Sequence, residues 1–97
     1  MGVKFARDYE DIVSDMTDAV PNIDRFYQFF NMEEEQWEQL SEEEKKECTK
    51  TLCDDLFFAL GSRSTIPVEG GWVTYEQKKH VITVNNGGKV VAIINLV

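Results

Sequence analysis

Groups that enzymes commonly use near neutral pH are scarce in this sequence. The 97 residues include one histidine, His80, and nothing in the sequence places a serine, cysteine or aspartate beside it. Nucleophilic catalysis needs such a nucleophile next to a base, which is most often histidine. We interpret His80 as a structural residue on a strand, and we expect the protein not to be an enzyme.

Cysteine is almost as scarce. Cys48 and Cys53 lie five residues apart in one predicted helix, so their side chains point about 140° apart around the helix axis. The axial separation of roughly 7.5 Å is more than a disulfide spans. We expect two reduced thiols, and with a single histidine available we expect no zinc site.

Motifs for other metals and cofactors are also missing. The segment 15–18 begins like a calcium loop but is not followed by the required glycine at the sixth position and glutamate at the twelfth. Neither Gly70-Gly71 nor Gly87-Gly88 is followed by the Lys-Ser or Lys-Thr of a phosphate-binding loop. The sequence therefore predicts no metal and no cofactor.

Long apolar runs are absent. No segment reaches the ~18 apolar residues that span a bilayer, and the first residues lack the apolar core of a signal peptide. Gly2 is not followed by the serine or threonine of a myristoylation signal, because Ala6 stands at that position. We expect a cytoplasmic protein that does not bind membranes.

Basic residues are few in the first part of the chain. Residues 1–60 hold 16 acidic and 6 basic side chains, whereas residues 61–97 hold 2 acidic and 4 basic ones. Nucleic acids and anionic membranes are bound through clustered lysine and arginine, so the acidic half argues against direct binding of either. Such a half suits a basic surface of another protein, and it also favours solubility.

The acidic half has the hydrophobic periodicity of helices. Residues 5–20 show apolar side chains at helical spacing with acidic ones opposite, and Pro21-Asn22 then predicts the start of a second, short helix. We expect the apolar stripe of this second helix to lie in the core. The stripe is mostly aromatic and consists of Ile23, Phe26, Tyr27 and Phe30.

Two capping motifs follow, each with a glutamate three residues after the cap. Asn31 predicts the start of a third short helix that reaches Leu40. Ser41 forms a better capping box and predicts the longest helix, over about residues 42–60, with Gly61 as a left-handed stop. The first half of the chain is therefore predicted to be a layer of three to four helices.

Strand periodicity replaces helical periodicity after a linker at residues 61–71, in which Ile66 and Val68 allow a short extra strand. Turn signals between the later apolar segments predict an antiparallel meander. Its three strands are predicted at residues 72–76, 80–85 and 89–97. We predict one α+β domain, residues 1–97, with the helical layer packed on this meander.

The last strand is apolar on both of its faces. A two-residue turn at Asn86-Gly87, or at Gly87-Gly88, pairs even positions of the second strand with odd positions of the third. The face that we expect to take the helices carries His80, Ile82, Val84, Val91 and Ile93. The second face carries Val81, Thr83, Val90, Ala92 and Ile94, and it needs a further cover because it too is apolar. Trp72 and Tyr75 are assigned to neither face.

The composition favours a protein that acts by protein–protein contact. In the main hypothesis, the acidic helices dock on a basic surface of a partner such as a nuclease and inhibit it. Immunity proteins and phage-encoded inhibitors have this general character, although no motif of either is present. Phe58 lies on the acidic side of the longest helix, where it either packs beneath another segment or serves as an apolar anchor. The predicted partner-binding residues are Glu33, Glu34, Glu35, Glu43, Glu47, Asp54 and Phe58.

Two alternatives place the function elsewhere. The first is a homodimer formed through the second face of the last strand, by Val90, Ala92 and Ile94. The second is a small-molecule site or enzyme with a pocket between the aromatic second helix and the sheet. A cavity beside those aromatic residues is the feature that this second alternative requires.

Overall fold

The computed structural model describes residues 2–97 and consists of a helical layer packed on a four-stranded antiparallel sheet. Over these residues the α-helices are α1 (Tyr9–Ala19), α2 (Glu34–Glu38) and α3 (Glu42–Leu60), and two 3₁₀ helices, Val20–Asn22 and Phe26–Phe30, join α1 to α2. The strands are β1 (Thr65–Val68), β2 (Gly71–Glu76), β3 (Val81–Asn86) and β4 (Lys89–Asn95). The predicted α+β class is confirmed, with four strands in place of the predicted three.

The sheet is a meander in the order β1-β2-β3-β4, so β1 and β4 form its edges. The additional strand β1 contains Ile66 and Val68, which were predicted to allow one, and it pairs with β2. Alternation along β2 places Tyr75 on the face covered by the helices and Trp72 on the opposite, outer face. The buried sheet residues on the covered face are Ile66, Val68, Val73, Ile82, Val84 and Ile94.

A bulge in β4 sets the register of the last strand. The preceding turn consists of two glycines, as one of the two predicted registers requires. Val90 then pairs with Asn85, but Ala92 pairs with Val84, so Val91 is an extra residue in β4. Because side chains alternate along a strand, one extra residue places every later side chain of β4 on the sheet face opposite to the predicted one.

The predicted faces of β4 are therefore wrong. Ala92 and Ile94, predicted to lie outside, face the helices, and Ile94 is only 2% exposed. Val91 and Ile93, predicted to face the helices, are exposed with Val90, and Ile93 is 61% exposed. Of the three residues in the predicted dimer interface, only Val90 has the exposure that the dimer hypothesis requires.

His80 lies in the turn between β2 and β3 rather than on a strand. Its backbone is left-handed, with φ of 55°, and the residue is exposed. Its carbonyl oxygen accepts a hydrogen bond of 3.0 Å from the backbone N–H of Leu96. The predicted strand position was wrong because β3 begins one residue later, at Val81.

The first helix begins later than the predicted residue 5. The backbone N–H groups of Ala6 and Arg7 both donate to the carbonyl oxygen of Leu96, over 2.8 and 3.1 Å. These bonds hold residues 6 and 7 against Leu96, just after the end of β4. Asp8 has a non-helical backbone, with ψ of 132°, so α1 starts only at the next residue.

The segment between α1 and α3 is less regular than predicted. The aromatic stripe forms a 3₁₀ helix, with Arg25 and Asn31 in left-handed conformations at its two ends. Asn31 is therefore not the cap of the next helix. Glu33 caps α2 instead, and its backbone N–H donates to Gln36 Oε1 over 2.9 Å.

The longest helix has its predicted limits. Glu44 donates its backbone N–H to Ser41 Oγ over 3.1 Å, and Ser41 donates its own to Glu44 Oε1 over 2.9 Å, which confirms the capping box. Gly61 is not the predicted left-handed stop, because its φ is −69°. Glycine is required there by space, since a Cβ would lie 2.8 Å from the Cα of Gly2.

The core lies between α1, α3 and the covered face of the sheet. Fully or nearly fully buried side chains come from one side of each helix, as amphipathic patterns require. They are Ile12, Val13 and Met16 of α1 and Leu52, Cys53, Leu56 and Leu60 of α3. Within residues 2–97, none of the helices combines the length and the apolar composition needed to cross a membrane.

Candidate functional site

Phe58 is the most exposed large apolar side chain in the described part of the chain, at 76%. It lies on α3 next to Phe57. Consecutive helical residues point about 100° apart, so Phe57 can face the core, and it is only 7% exposed. Asp54 and Asp55 lie one turn earlier on the side of α3 that carries Phe58. Of the two predicted outcomes for Phe58, the structure shows the exposed one.

A shallow hollow of about 290 Å³ lies beside Phe58. Phe5 forms one wall, and its ring packs edge-on against Phe57 at a centroid distance of 5.4 Å. Tyr9 packs against the same Phe57 ring at 5.0 Å, so the hollow rests on an aromatic cluster. The hollow is lined by Gly2, Val3, Phe5, Phe57, Phe58, Gly61 and Ser62. We refer to Phe5, Asp54, Asp55 and Phe58 as the Phe58 surface.

The Asp54 carboxylate is held in place by a residue of α1. The Tyr9 hydroxyl donates a hydrogen bond of 2.7 Å to Asp54 Oδ1. Burial, followed by this hydrogen bond and the negative charge of Asp54, raises the pKa of Tyr9 to about 12. The phenol therefore stays protonated at neutral pH and keeps the carboxylate oriented at the edge of the Phe58 surface.

Four of the predicted partner-binding residues lie on the outer side of α3. Glu43, Glu47 and Phe58 are exposed, and Asp54 is half-buried. Glu43 and Phe58 are separated by about 22 Å along the helix axis, because each residue rises 1.5 Å. These residues therefore form a long ridge with the apolar anchor at one end.

The three predicted glutamates of α2 form a separate acidic group. Glu33, Glu34 and Glu35 are all exposed at the start of that helix. Lys45 of α3 lies close to the other end of α2, with its Nζ atom 3.9 Å from Glu38 Oε2 and 5.8 Å from the centre of the Trp37 ring. The predicted partner-binding residues therefore form two groups, one at the start of α2 and one along α3, and not one compact patch.

A cleft of about 450 Å³ lies beside the aromatic 3₁₀ helix, but it opens between α1 and α3 and does not reach the sheet. Phe26 and Trp37 line one part of it, and Lys45 and Lys46 line another. The aromatic rings mostly contact each other: Tyr27 and Phe30 stack on Trp37 within 13° of parallel. The cavity that the small-molecule alternative requires is thus present in a different place from the predicted one.

Both cysteines of the described chain lie on α3. Burial raises the pKa of the Cys53 thiol to about 12, so it is not a thiolate nucleophile at neutral pH. Cys48 is half-buried, and both cysteines are free thiols. Over residues 2–97, no three His, Cys, Asp or Glu side chains are grouped so that they could hold a metal ion.

One surface feature that the sequence did not indicate depends on tertiary structure. Asp15 and Asp18 of α1 line a groove against β4, and Arg7 reaches across one end of it. Acidic residues on the outer side of the first helix were expected, but their position beside an edge strand was not. The periodicity of α1 shows only which residues share a side, and the partner of that side is set by the fold.

Comparison of the chain with protein-family models, with curated proteins and with solved structures gave no match.

Proposed function

We propose that the protein is a non-enzymatic interaction module that binds a basic surface of another protein through the outer side of α3, with Phe58 as its apolar anchor. The exposure of Phe58, at 76%, is the observation that carries this proposal. Burying a phenylalanine side chain is worth about 1.5–3 kcal/mol, and aromatic residues, phenylalanine included, are enriched in the cores of protein interfaces. The structure of residues 2–97 gives this side chain no such burial.

The charges around the anchor support a basic partner. Among residues 2–97, the carboxylates of Glu43, Glu47 and Asp55 form no ion pair within the chain. Carboxylates that are not neutralised internally attract a basic surface over several ångströms and speed its association. The proposed complex therefore combines electrostatic attraction along α3 with apolar contact at Phe58.

The proposed role is inhibition of a cytoplasmic partner whose basic surface otherwise binds a polyanion, as in a nuclease. An acidic ridge of about 22 Å has the charge to compete with phosphate groups for such a surface. This part of the proposal rests on the distribution of charge, with 16 acidic side chains in residues 1–60.

Affinity capture from the native host, read by quantitative mass spectrometry, tests the proposal. The baits are the wild-type protein, Phe58→Ser and the matched variant Phe29→Ser, which removes another exposed aromatic ring on a different element. We expect wild-type and Phe29→Ser to retain the same basic protein and Phe58→Ser to lose it. Equal capture by all three baits, or capture that is insensitive to salt between 0.05 and 0.5 M, would contradict the proposal.

A further inference from the structure

The two edges of the sheet differ in how well they are protected from pairing with another strand. β1 has four residues and contains Pro67, which has no backbone N–H to offer. β4 has seven residues and no proline, and its exposed side chains include the apolar Val91 and Ile93. Edge strands of this kind readily accept a further strand, here between the bulge at Val91 and Asn95, whose carbonyl oxygen already accepts a hydrogen bond from Arg7.

A groove of about 270 Å³ runs beside β4, between this strand and α1. Asp15 and Asp18 lie on its helical side, one turn apart. Ala92 to Ile94 form the strand side. The full lining is Asp15, Asp18, Ala19, Asn22, Ala92, Ile93 and Ile94. A strand added to β4 would therefore lie next to two carboxylates on the helix side of the sheet.

Arg7 shows which chemistry suits this groove. Its Nη1 atom donates to Asp15 Oδ2 over 2.9 Å and to the carbonyl oxygen of Asn95 over 2.8 Å, so one guanidinium joins α1 to β4. Asp18 lies further along the groove, and within residues 2–97 it has no ion pair. Asp18 is therefore a carboxylate beside β4 that no cation of residues 2–97 pairs with, whereas Arg7 pairs with Asp15.

We propose that this groove binds an extended segment of a partner protein, which pairs with β4 as a fifth strand and carries alternating basic and apolar side chains. The basic side chains point to the helix side, where they meet Asp18 and the exposed part of Asp15. The apolar side chains point to the outer side, where they pair with Val91 and Ile93.

Charge argues for such a partner and against a second copy of this chain. Antiparallel pairing of two β4 strands about a two-fold axis would put both α1 helices on the same face of the joined sheet. Asp15 and Asp18 of one copy would then face the same residues of the other, and each chain carries a net charge of −8. Like charges that face each other across an interface are destabilising, whereas lysine or arginine in that position is attracted.

This site is separate from the Phe58 surface, because it is built from α1, the 3₁₀ helix that follows it and β4, and contains no residue of α3. The inference therefore does not depend on the proposed function. Peptide binding tests it without any knowledge of the partner.

The probe is a nine-residue capped peptide of alternating lysine and valine, added to the full chain and followed by the NMR shifts of backbone amides. We expect shifts concentrated at Ala92, Ile93 and Ile94 and at Asp18. One control peptide has glutamate in place of lysine, and another has proline in place of the central valine, which removes a backbone donor. Neither control should bind.

Two charge reversals on α1 sharpen the test. Asp18→Lys should weaken binding of the lysine–valine peptide about tenfold, since it replaces an attraction with a repulsion. Glu10→Lys makes the same change of charge on the part of α1 that faces α3 and should change the affinity less than about twofold at 0.15 M salt.

Three results would overturn the proposal. They are amide shifts confined to residues outside β4 and α1, equal binding of the glutamate peptide, and equal weakening by the two charge reversals. Sedimentation of the chain without peptide is a further test. A dimer at micromolar concentration that Ile93→Lys dissociates would assign this strand to a second copy and would also overturn the proposal.

Discussion

Tyr9 and Asp54 join α1 to α3 through a hydrogen bond of 2.7 Å from the phenol hydroxyl to Oδ1 of the carboxylate. The bond lies beside the aromatic cluster of Phe5, Tyr9 and Phe57 that supports the Phe58 surface. It therefore links the packing of two helices to the position of a charged group on the proposed binding ridge. Removing it affects stability in a way that depends on pH.

Tyr9→Phe should lower the free energy of unfolding by about 1 kcal/mol at pH 7, the usual net value of one hydrogen bond. The pKa of Tyr9 is raised from 10.0 to about 12 in the folded state, so its stabilising contribution is fully present below pH 10 and is lost as the pH rises to about 12. Urea unfolding at pH 7, 9 and 11 should show the difference between wild type and Tyr9→Phe shrinking at pH 11. A difference that stays constant over this range would contradict the assignment.

Gly71→Ala should destabilise the sheet strongly. A Cβ at this position would overlap the carbonyl oxygen of Asn85, and both groups belong to paired strands that cannot move apart cheaply. We expect a loss of about 3 kcal/mol, at the upper end of the range for overpacking. Gly70→Ala is the matched control, because a Cβ there would lie 3.3 Å from the carbonyl oxygen of Asp24 and requires only a small adjustment. Chemical denaturation of both variants decides the matter, and equal losses would show that the close approach at Gly71 is not as described.

Phe57 and Phe58 should respond in opposite ways to the same substitution. Phe57→Ala removes a ring that is 7% exposed and should cost about 4 kcal/mol of stability. Phe58→Ala removes a ring that is 76% exposed and should change stability by less than about 0.5 kcal/mol, while partner binding is lost. Thermal and urea unfolding give the first comparison, and affinity capture gives the second. A large loss of stability in Phe58→Ala would mean that the ring is covered and is not an anchor.

Local signals in the sequence were sufficient for the longest helix. The Ser41 capping box is completed by a residue three positions away, so both partners are visible in the sequence, and the helix ends at the predicted residue 60. The left-handed conformation predicted for Gly61 was wrong, because the contact that requires glycine there is with a residue far away in the sequence. Its glycine is required by the nearby Gly2, and no local pattern encodes that contact.

Non-local contacts also explain the other errors. Residues 6 and 7 have helical periodicity in common with α1, but hydrogen bonds to the distant Leu96 hold them beside the sheet, and the non-helical backbone of Asp8 separates them from α1. The same distinction between local and non-local signals holds for the candidate binding surfaces. Phe58 was found because helical spacing places it among acids, whereas the groove between α1 and β4 depends on which strand lies beside which helix.

Ile93 and Ile94 provide the sharpest test of the bulge, because the two registers of β4 predict opposite results. With Val91 as an extra residue, Ile94 is 2% exposed against the helices and Ile93 is 61% exposed on the outer face. Ile94→Ala should therefore cost about 3 kcal/mol, whereas Ile93→Ala should change stability by less than about 0.5 kcal/mol. In a regular hairpin without the bulge these two values would be exchanged. Urea unfolding of the two variants distinguishes the registers, and the regular one would also remove Ile93 from the proposed fifth-strand site, since its side chain would then face the core.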